Sequence, residues 1–190
     1  KGSGKDDDKG VWSFGGKVGK WLLLYCYNEE TKKAHWAYRD PDGKVDEADE
    51  VLIDGMKHRP NNPIHNKMIS KGAVLFPSGL TRNSDGSIDR RSTKQLVIKT
   101  SAEYQKDYLF ADAKWAMLCA YWVCGTWVFD NFHELVYLRM VGDAGAGKSA
   151  LLNLLMYTSY MAIKMSGADS DATFFRITDE YNGSMFFEEA

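Results

Sequence analysis

One stretch of the sequence, residues 135–150, restricts the folds open to this chain more than any other. An apolar run at 135–141 ends abruptly in a glycine-rich turn, and the residues from Lys148 onward are typical of a helix start. A strand, a glycine-rich loop and a helix in this order predict a loop that binds the phosphates of a nucleoside triphosphate. The alternative is an ordinary glycine turn followed by Lys-Ser by chance. The turn fits the pattern G-x-x-x-x-G-K-[ST] without a mismatch, at Gly142, Gly147, Lys148 and Ser149.

Each residue type in this loop has a physical role in holding phosphate. Glycines let the backbone turn tightly and bring its N–H groups close to an anion, which a Cβ atom would obstruct. These N–H groups and the positive end of the following helix would surround the β-phosphate. Lys148 would reach the β- and γ-phosphates, and the Ser149 hydroxyl would bind Mg²⁺. The predicted nucleotide-binding residues are Gly142, Asp143, Ala144, Gly145, Ala146, Gly147, Lys148, Ser149 and Ala150.

A second motif lies downstream of the loop. Residues 185–187 predict a buried strand, and Glu188 and Glu189 follow at its carboxyl end. Open α/β sheets place their ligands at this edge. We expect Glu188 to bind the Mg²⁺ together with Ser149, and Glu189 to polarise the attacking water, so that Lys148 and Glu189 are the predicted catalytic residues. The alternative is a surface pair of glutamates that ends a strand.

The composition is that of a globular protein, and it argues against several functional classes. The 190 residues carry a net charge of −2, so the chain as a whole lacks a basic signature, although a local basic patch is compatible with this value. Three cysteines without metal-ligand spacing predict reduced thiols, and with no secretory signal in the sequence we expect a cytoplasmic protein. The uncharged run at 115–129 is shorter than the roughly 20 residues of a bilayer-spanning helix, so no membrane partner is expected.

The order of the sequence patterns predicts three segments. Residues 1–10 are small and charged and predict a flexible arm or a tag remnant. Residues 11–101 predict a small β-rich domain, in which a Gly-Lys pair at 15–20 reads as a turn. Residues 102–190 predict the N-terminal part of a P-loop ATPase domain with its lead-in helix. The strands predicted in the β-rich domain lie at 21–27, 33–39, 51–53, 73–76 and 95–99.

Within the last segment the patterns alternate between helix and strand. Apolar spacings of three and four at 102–132 predict one or two helices. This alternation implies a parallel sheet with right-handed crossovers, and because such a core needs further strands, we expect the chain to be a piece of a larger protein. After the phosphate loop the patterns predict a helix to about residue 157, a strand at 160–165, a helix at 169–181 and a strand at 184–187.

The β-rich segment carries two basic loops, at 56–71 and 78–94, among aromatic residues. Basic side chains that alternate with aromatic rings are compatible with phosphate contacts and base stacking on a nucleic acid. The alternative is a solvated surface over an ordinary aromatic core. The aromatic residues that this hypothesis uses are Trp21, Trp36, Tyr38 and Phe76.

These motifs resemble the ATPase core of AAA+ and superfamily 3 helicases, in particular the replicative helicase or primase-helicase ATPases of phages, plasmids and integrated elements. The aromatic helix at 115–132 is similar to the helical lead-in of these proteins. The resemblance implies an α/β fold with the parallel-sheet core of P-loop NTPases of the AAA+/ASCE type, here incomplete and preceded by helices and the small β-rich domain. The residues that carry it lie at 137–149, 166–168, 175–176 and 186–190.

The resemblance also implies an activity and partners. Glu188 and Glu189 would match the acidic pair of the Walker B motif, although many AAA+ members have Asp at the first position. Such ATPases generally work as hexameric rings that hold ATP and Mg²⁺ between subunits. The leading hypothesis is therefore an ATP-hydrolysing DNA helicase or translocase that serves phage or mobile-element replication. The alternatives are a nucleotide switch or assembly ATPase in defence or signalling, without unwinding activity, and a structural fragment whose β-rich domain binds a partner.

Overall fold

The computed structural model describes residues 10–62, 72–166 and 183–188, together with positions 170, 172, 175, 177, 179 and 181. These residues fall into two compact units. Within the described ranges, the first unit comprises residues 10–62 and 75–88, and the second comprises residues 72–74 and those from 89 onward. Each unit has a hydrophobic core of its own.

The first unit consists of two small sheets. Strands β1 (Gly10–Ser13), β7 (Met56–Pro60) and β6 (Val51–Ile53) form one sheet in that order, with β1 parallel and β6 antiparallel to β7. The other sheet is antiparallel throughout. It contains, in spatial order, β2 (Gly15–Val18), β3 (Trp21–Asn28), β4 (Lys33–Arg39) and β5 (Val45–Ala48).

Turn chemistry sets the register of this sheet. The Asn28 side chain accepts hydrogen bonds from two backbone N–H groups of the turn that follows it, at 2.9 and 3.0 Å, which closes the β3–β4 hairpin. In the Asp-Pro-Asp-Gly turn, Gly43 has φ +84° and its N–H donates to the Asp40 carbonyl at 3.1 Å. The Trp36 side chain on β4 is completely buried, and its Nε1 donates to the His58 carbonyl at 3.0 Å.

The strands predicted at 21–27, 33–39 and 51–53 are confirmed, but other predictions for the first hundred residues are wrong. The segment at 15–18, predicted as part of a turn, forms β2 and pairs with β3. Residues 73–76 have an irregular backbone. The strand predicted at 95–99 lies inside helix α1 (Thr93–Asp107).

The start of α1 explains why a helix forms there. The Ser92 side chain accepts from the Gln95 N–H at 3.3 Å, and the Gln95 side chain accepts from the Ser92 N–H at 2.9 Å. This reciprocal pair is a capping box, which satisfies two backbone donors at the helix start. The local cap therefore outweighs the strand-like run of apolar residues that follows it.

The second unit combines three helices of defined extent with two strands. Helix α2 (Ala113–Thr126) packs against α1, and α3 (Lys148–Met156) follows the glycine-rich loop. Strands β8 (Ile163–Ser166) and β9 (Met185–Glu188) pair in parallel. The predicted helix to about residue 157 and the strand before Glu189 are confirmed, and positions 172, 175, 177, 179 and 181 are helical, as the pattern at 169–181 predicts.

A hydrophobic core joins the helices of this unit to β9. Leu155 and Ala120 have no solvent exposure, and the Trp122 ring meets the Phe186 ring edge-on with 5.8 Å between centroids. Such edge-to-face pairs stabilise a core beyond the area that they bury. The buried core residues are Val97, Tyr104, Ala116, Cys119, Ala120, Val123, Leu155, Met156, Ala162 and Phe186. None of the helices in the described ranges has the length and apolar character that a bilayer crossing requires.

The predicted fold class, an α/β P-loop NTPase with a large parallel-sheet core, is wrong. Most strands belong to small antiparallel arrangements, and the parallel sheet of the second unit has only two described strands. The run at 135–141, predicted as the strand before the phosphate loop, is irregular, and its residues Val136, Tyr137 and Val141 are 76%, 100% and 82% exposed. A strand of a parallel core has helices over both faces and strands beside it. Among the described residues, no strand pairs with this run.

Candidate functional site

The glycine-rich loop has the backbone conformation that its sequence suggests. Gly145 and Gly147 have φ values of +81° and +78°, in the left-handed region that favours glycine. The Ala146 N–H donates to the Asp143 carbonyl at 3.2 Å, which closes a tight turn between them. The chain therefore reverses direction over a few residues and leads directly into α3.

The N-terminus of α3 provides backbone donors without a side-chain cap. Gly147 is the N-cap residue and has no side chain to accept a hydrogen bond, and the first helical bond runs from the Leu151 N–H to the Gly147 carbonyl at 3.0 Å. The N–H groups that precede it have no partner within the helix, and the helix dipole makes this end positive. An anion is the ligand that satisfies both properties.

The Lys148 ammonium folds back over the loop. Its Nζ donates to the carbonyl oxygens of Gly142 and Asp143, each at 2.7 Å. Both acceptors are neutral and exposed, so water can replace them at small cost. A phosphate oxygen would add a negative charge on the acceptor, so the ammonium would gain an ion-pair attraction that the neutral carbonyls do not provide.

Ser149 and Glu188 lie next to each other, although one begins α3 and the other ends β9. Both residues line one cavity, and the Lys164 Nζ on β8 is 2.5 Å from Glu188 Oε2. The pKa of Glu188 is lowered, first by the hydrogen bond from Lys164 and then by the nearby Ser149 hydroxyl. The carboxylate is therefore held in its ionised form beside the loop.

The Ser149 and Glu188 side chains could supply the few protein oxygens that Mg²⁺ needs when it binds together with a triphosphate. No group of three or more His, Cys, Asp or Glu side chains in the described part of the chain could hold a metal ion by itself. Mg²⁺ in triphosphate sites uses one or two protein oxygens, with the remaining ligands supplied by phosphate and water. The Ser149 hydroxyl and the Glu188 carboxylate meet this requirement.

Tyr108, which caps the C-terminal end of α1, supports the loop from outside. Its hydroxyl donates to the Ala146 carbonyl at 3.2 Å, and a Cβ built on Gly147 would lie 3.2 Å from the Tyr108 ring. The Phe110 ring packs against Tyr108 with 4.9 Å between centroids. Tyr108 therefore restrains the loop at the residue before Lys148.

A cavity of about 820 Å³ lies between the irregular run at 135–141, α3 and β9. Its volume is within the range of about 300–1,000 Å³ that is typical of ligand sites. Apolar side chains form much of its wall, and its polar contributors include Gly142, Lys148, Ser149 and Glu188. The structure therefore brings four of the sequence-predicted site residues to one cavity.

The other predicted positions have mixed outcomes. Glu189, the predicted catalytic glutamate, lies outside the described residues. The remaining loop positions Asp143, Ala144 and Ala150 are exposed, and their contact with nucleotide stays a prediction. The predicted reduced thiols are confirmed, since Cys26, Cys119 and Cys124 are all free.

Sequence reasoning missed two residues of this site, Lys164 and Tyr108. Lys164 is a single cation in a predicted strand, and only the register of β8 with β9 brings it to Glu188. Tyr108 lies within the apolar spacing at 102–132 that predicts helices, and its contact with Ala146 spans a long sequence separation. No local sequence pattern marks Lys164 or Tyr108 as a residue of this site.

The aromatic residues predicted to stack on nucleic acid differ in burial, and their contact with nucleic acid stays a prediction. Trp36 is completely buried, and Trp21, Tyr38 and Phe76 are half-buried. Among the described residues of this unit, Trp12 on β1 is an exposed aromatic side chain, at 58% exposure.

Comparison of the chain with protein-family models, curated proteins and solved structures finds no match. The resemblance to AAA+ and superfamily 3 helicases therefore stays a sequence-based prediction.

Proposed function

We propose that the second unit binds the triphosphate of ATP at residues 142–150 and hydrolyses it with Mg²⁺. The main support is that Ser149, the second residue of α3, and Glu188, at the end of β9, line the same cavity. The two residues belong to separate sequence motifs, and each has the oxygen chemistry that Mg²⁺ prefers. Their meeting beside a left-handed glycine loop and a free helix N-terminus favours a triphosphate site over a chance glycine turn.

Each residue has a defined part in the proposed reaction. The backbone N–H groups at the start of α3 hold the β-phosphate oxygens, and Lys148 leaves the Gly142 and Asp143 carbonyls to bind the β- and γ-phosphates. Ser149 and Glu188 hold the Mg²⁺, whose charge stabilises the negative charge that develops on the phosphates. Glu189 accepts a proton from water as the water oxygen bonds to the γ-phosphorus and the bond from the bridging oxygen to that phosphorus breaks, releasing ADP and phosphate.

Nucleotide binding can be tested on the chain with a fluorescent ATP analogue. Lys148→Ala removes a charged hydrogen bond to phosphate, so we expect the dissociation constant to rise by about tenfold or more. Lys114→Ala is the matched control because this side chain is 90% exposed at the start of α2 and makes only a 3.8 Å ion pair with Asp112. Equal affinity of the Lys148→Ala variant and the unchanged chain would refute the proposed site.

Hydrolysis is a separate part of the proposal and needs its own variant. Glu189→Gln keeps the size of the side chain but cannot accept the proton, so we expect ATP binding to remain and phosphate release to stop. The measurement is phosphate release at saturating ATP and Mg²⁺. Release at the rate of the unchanged chain would remove Glu189 from the mechanism while leaving the binding site intact.

We further propose that ATP turnover drives movement on DNA by an oligomer of this chain. The exposed Trp12 ring on β1 supports a contact with single-stranded DNA, because the guanidinium carbon of Arg59 on β7, whose Nε also pairs with Glu50 at 3.0 Å, lies 5.6 Å from the ring centroid. An exposed aromatic ring beside a cation suits a stacked base and its phosphate.

Three measurements test this part of the proposal. Trp12→Ala should weaken binding of a single-stranded oligonucleotide, whereas Leu52→Ala, at a 63% exposed position of the same sheet, should not. Sedimentation with and without ATP reports whether a ring assembles. Strand displacement separates a helicase from a nucleotide switch, since only the helicase releases the labelled strand.

A further inference from the structure

The ion pair between Lys164 and Glu188 has no part in the reaction described so far. Lys164 lies opposite Phe186 on the parallel strand β9, and Glu188 follows two residues later, so the two side chains are diagonal neighbours on one face. Their Nζ and Oε2 atoms are 2.5 Å apart. Both side chains are about one-third exposed, at 37% and 33%, so water screens the pair less than it would two fully exposed charges.

The same carboxylate lies near a second polar side chain, the Ser149 hydroxyl, which lines the same cavity. Glu188 therefore stands between the strand pair and the first turn of α3. In this arrangement the carboxylate that would bind a divalent cation is already neutralised by an ammonium group of the same chain. A cation that enters next to Ser149 meets Lys164 a few ångströms away.

We propose that Lys164 is a positioning residue that holds the Glu188 carboxylate against Ser149 and excludes a free divalent cation until a triphosphate is bound. This inference rests on the proposed function and adds a control over the order of binding. The ammonium repels a dication, and a single carboxylate does not compensate for that repulsion. A bound triphosphate would bring several negative charges to the same place, so that Glu188 could exchange the Lys164 ammonium for the Mg²⁺ that accompanies the nucleotide.

The test measures metal binding without nucleotide and without turnover. Mn²⁺ replaces Mg²⁺ because its binding can be followed by electron paramagnetic resonance. Lys164→Met keeps much of the length and apolar stem of the side chain but removes its charge. Because the electrostatic term between a dication and a monocation a few ångströms apart is large even in water, we expect nucleotide-free Mn²⁺ affinity to rise by about tenfold or more.

Three controls separate this electrostatic role from a merely structural one. Lys164→Arg keeps the charge, so its Mn²⁺ affinity should match that of the unchanged chain. Lys106→Met removes the same charge from another lysine–glutamate pair, with Glu103 at 2.9 Å on α1, and should leave Mn²⁺ binding unchanged. Adding Glu188→Gln to Lys164→Met should abolish the gain.

Several results would overturn the proposal. If Lys164→Met binds Mn²⁺ no more tightly than the unchanged chain, Lys164 does not exclude the cation. If Lys164→Met fails to fold, Lys164→Gln gives the same test, and unchanged affinity in that variant has the same meaning. A chain that binds no ATP contradicts the proposed function, whereas a chain that binds ATP but shows no change in Mn²⁺ affinity on loss of Lys164 contradicts only this inference.

Discussion

Replacing Gly147 by alanine tests whether the Tyr108 contact fixes the conformation of the glycine loop. The residue has φ +78°, a conformation that costs an alanine about 1–2 kcal/mol. The new Cβ atom would also lie 3.2 Å from both Cε2 and the hydroxyl oxygen of Tyr108. If the Tyr108 ring moves, its hydrogen bond to the Ala146 carbonyl is lost, which costs about 1 kcal/mol more.

Gly145 provides a matched control for this substitution. It has nearly the same φ, +81°, but a Cβ built there has no atom within 4 Å. Gly145→Ala therefore carries the backbone cost without the contact, and both alanines reduce the entropy of the unfolded chain to the same extent. We expect Gly147→Ala to destabilise the second unit by about 1 kcal/mol more than Gly145→Ala.

The assay is urea unfolding followed by circular dichroism, with the free energy of unfolding compared between the two variants. In a Tyr108→Ala background the obstructing ring is absent, so the difference between Gly147→Ala and Gly145→Ala should disappear. Equal destabilisation in the original background would refute the argument. A difference that persists without Tyr108 would also refute it, because another contact would then be responsible.

Three further predictions concern the cores and the ends of helices. Leu155→Ala should lower the unfolding free energy by about 2–5 kcal/mol in a urea titration, because the side chain has no solvent exposure. Ser92→Ala should cost about 1 kcal/mol by the same measurement, since it removes the capping box of α1, while Ser92→Asp should retain most of the stability. Burial raises the pKa of the Cys26 thiol from 9.0 to about 11, so its contribution to stability is complete below pH 9 and is lost as pH rises through 11. Urea midpoints measured between pH 8 and 11 should therefore fall less steeply with pH for Cys26→Ala than for the unchanged chain. Equal slopes would show that ionisation of Cys26 does not cause the loss of stability.

The sequence correctly predicted those elements that are determined by contacts between residues close together in the chain. The β3–β4 hairpin follows from the turn at Asn28, whose side chain bonds to the next N–H groups, and α3 follows directly from the glycine loop. The wrong prediction of a strand at 95–99 also concerns neighbouring residues. Ser92 and Gln95 have the spacing of a capping box, and this cap starts a helix although the run Leu-Val-Ile that follows is typical of a strand.

The prediction of a strand at 135–141 was wrong for a different reason. Its apolar composition is compatible with a central strand, but a strand exists only when another backbone satisfies its N–H and C=O groups. Sequence alone does not show whether such a partner is present. In the structure these residues instead form part of a cavity wall, and the Trp122 Nε1 donates to the Val136 carbonyl at 2.8 Å. A side chain of α2 therefore satisfies a backbone acceptor of this run.

The charges around the loop favour a definite order of binding at the proposed site. Lys148 and Lys164 place two ammonium groups near the positive end of α3, and Glu188 is the carboxylate that Lys164 already neutralises. These charges attract a polyanion before a free cation. Lys148 loses only neutral carbonyl partners when a triphosphate arrives, whereas Lys164 must leave a charged one. Lys148 therefore exchanges its partners more easily than Lys164 does. We expect Lys148 to bind phosphate before Lys164 releases Glu188 for Mg²⁺.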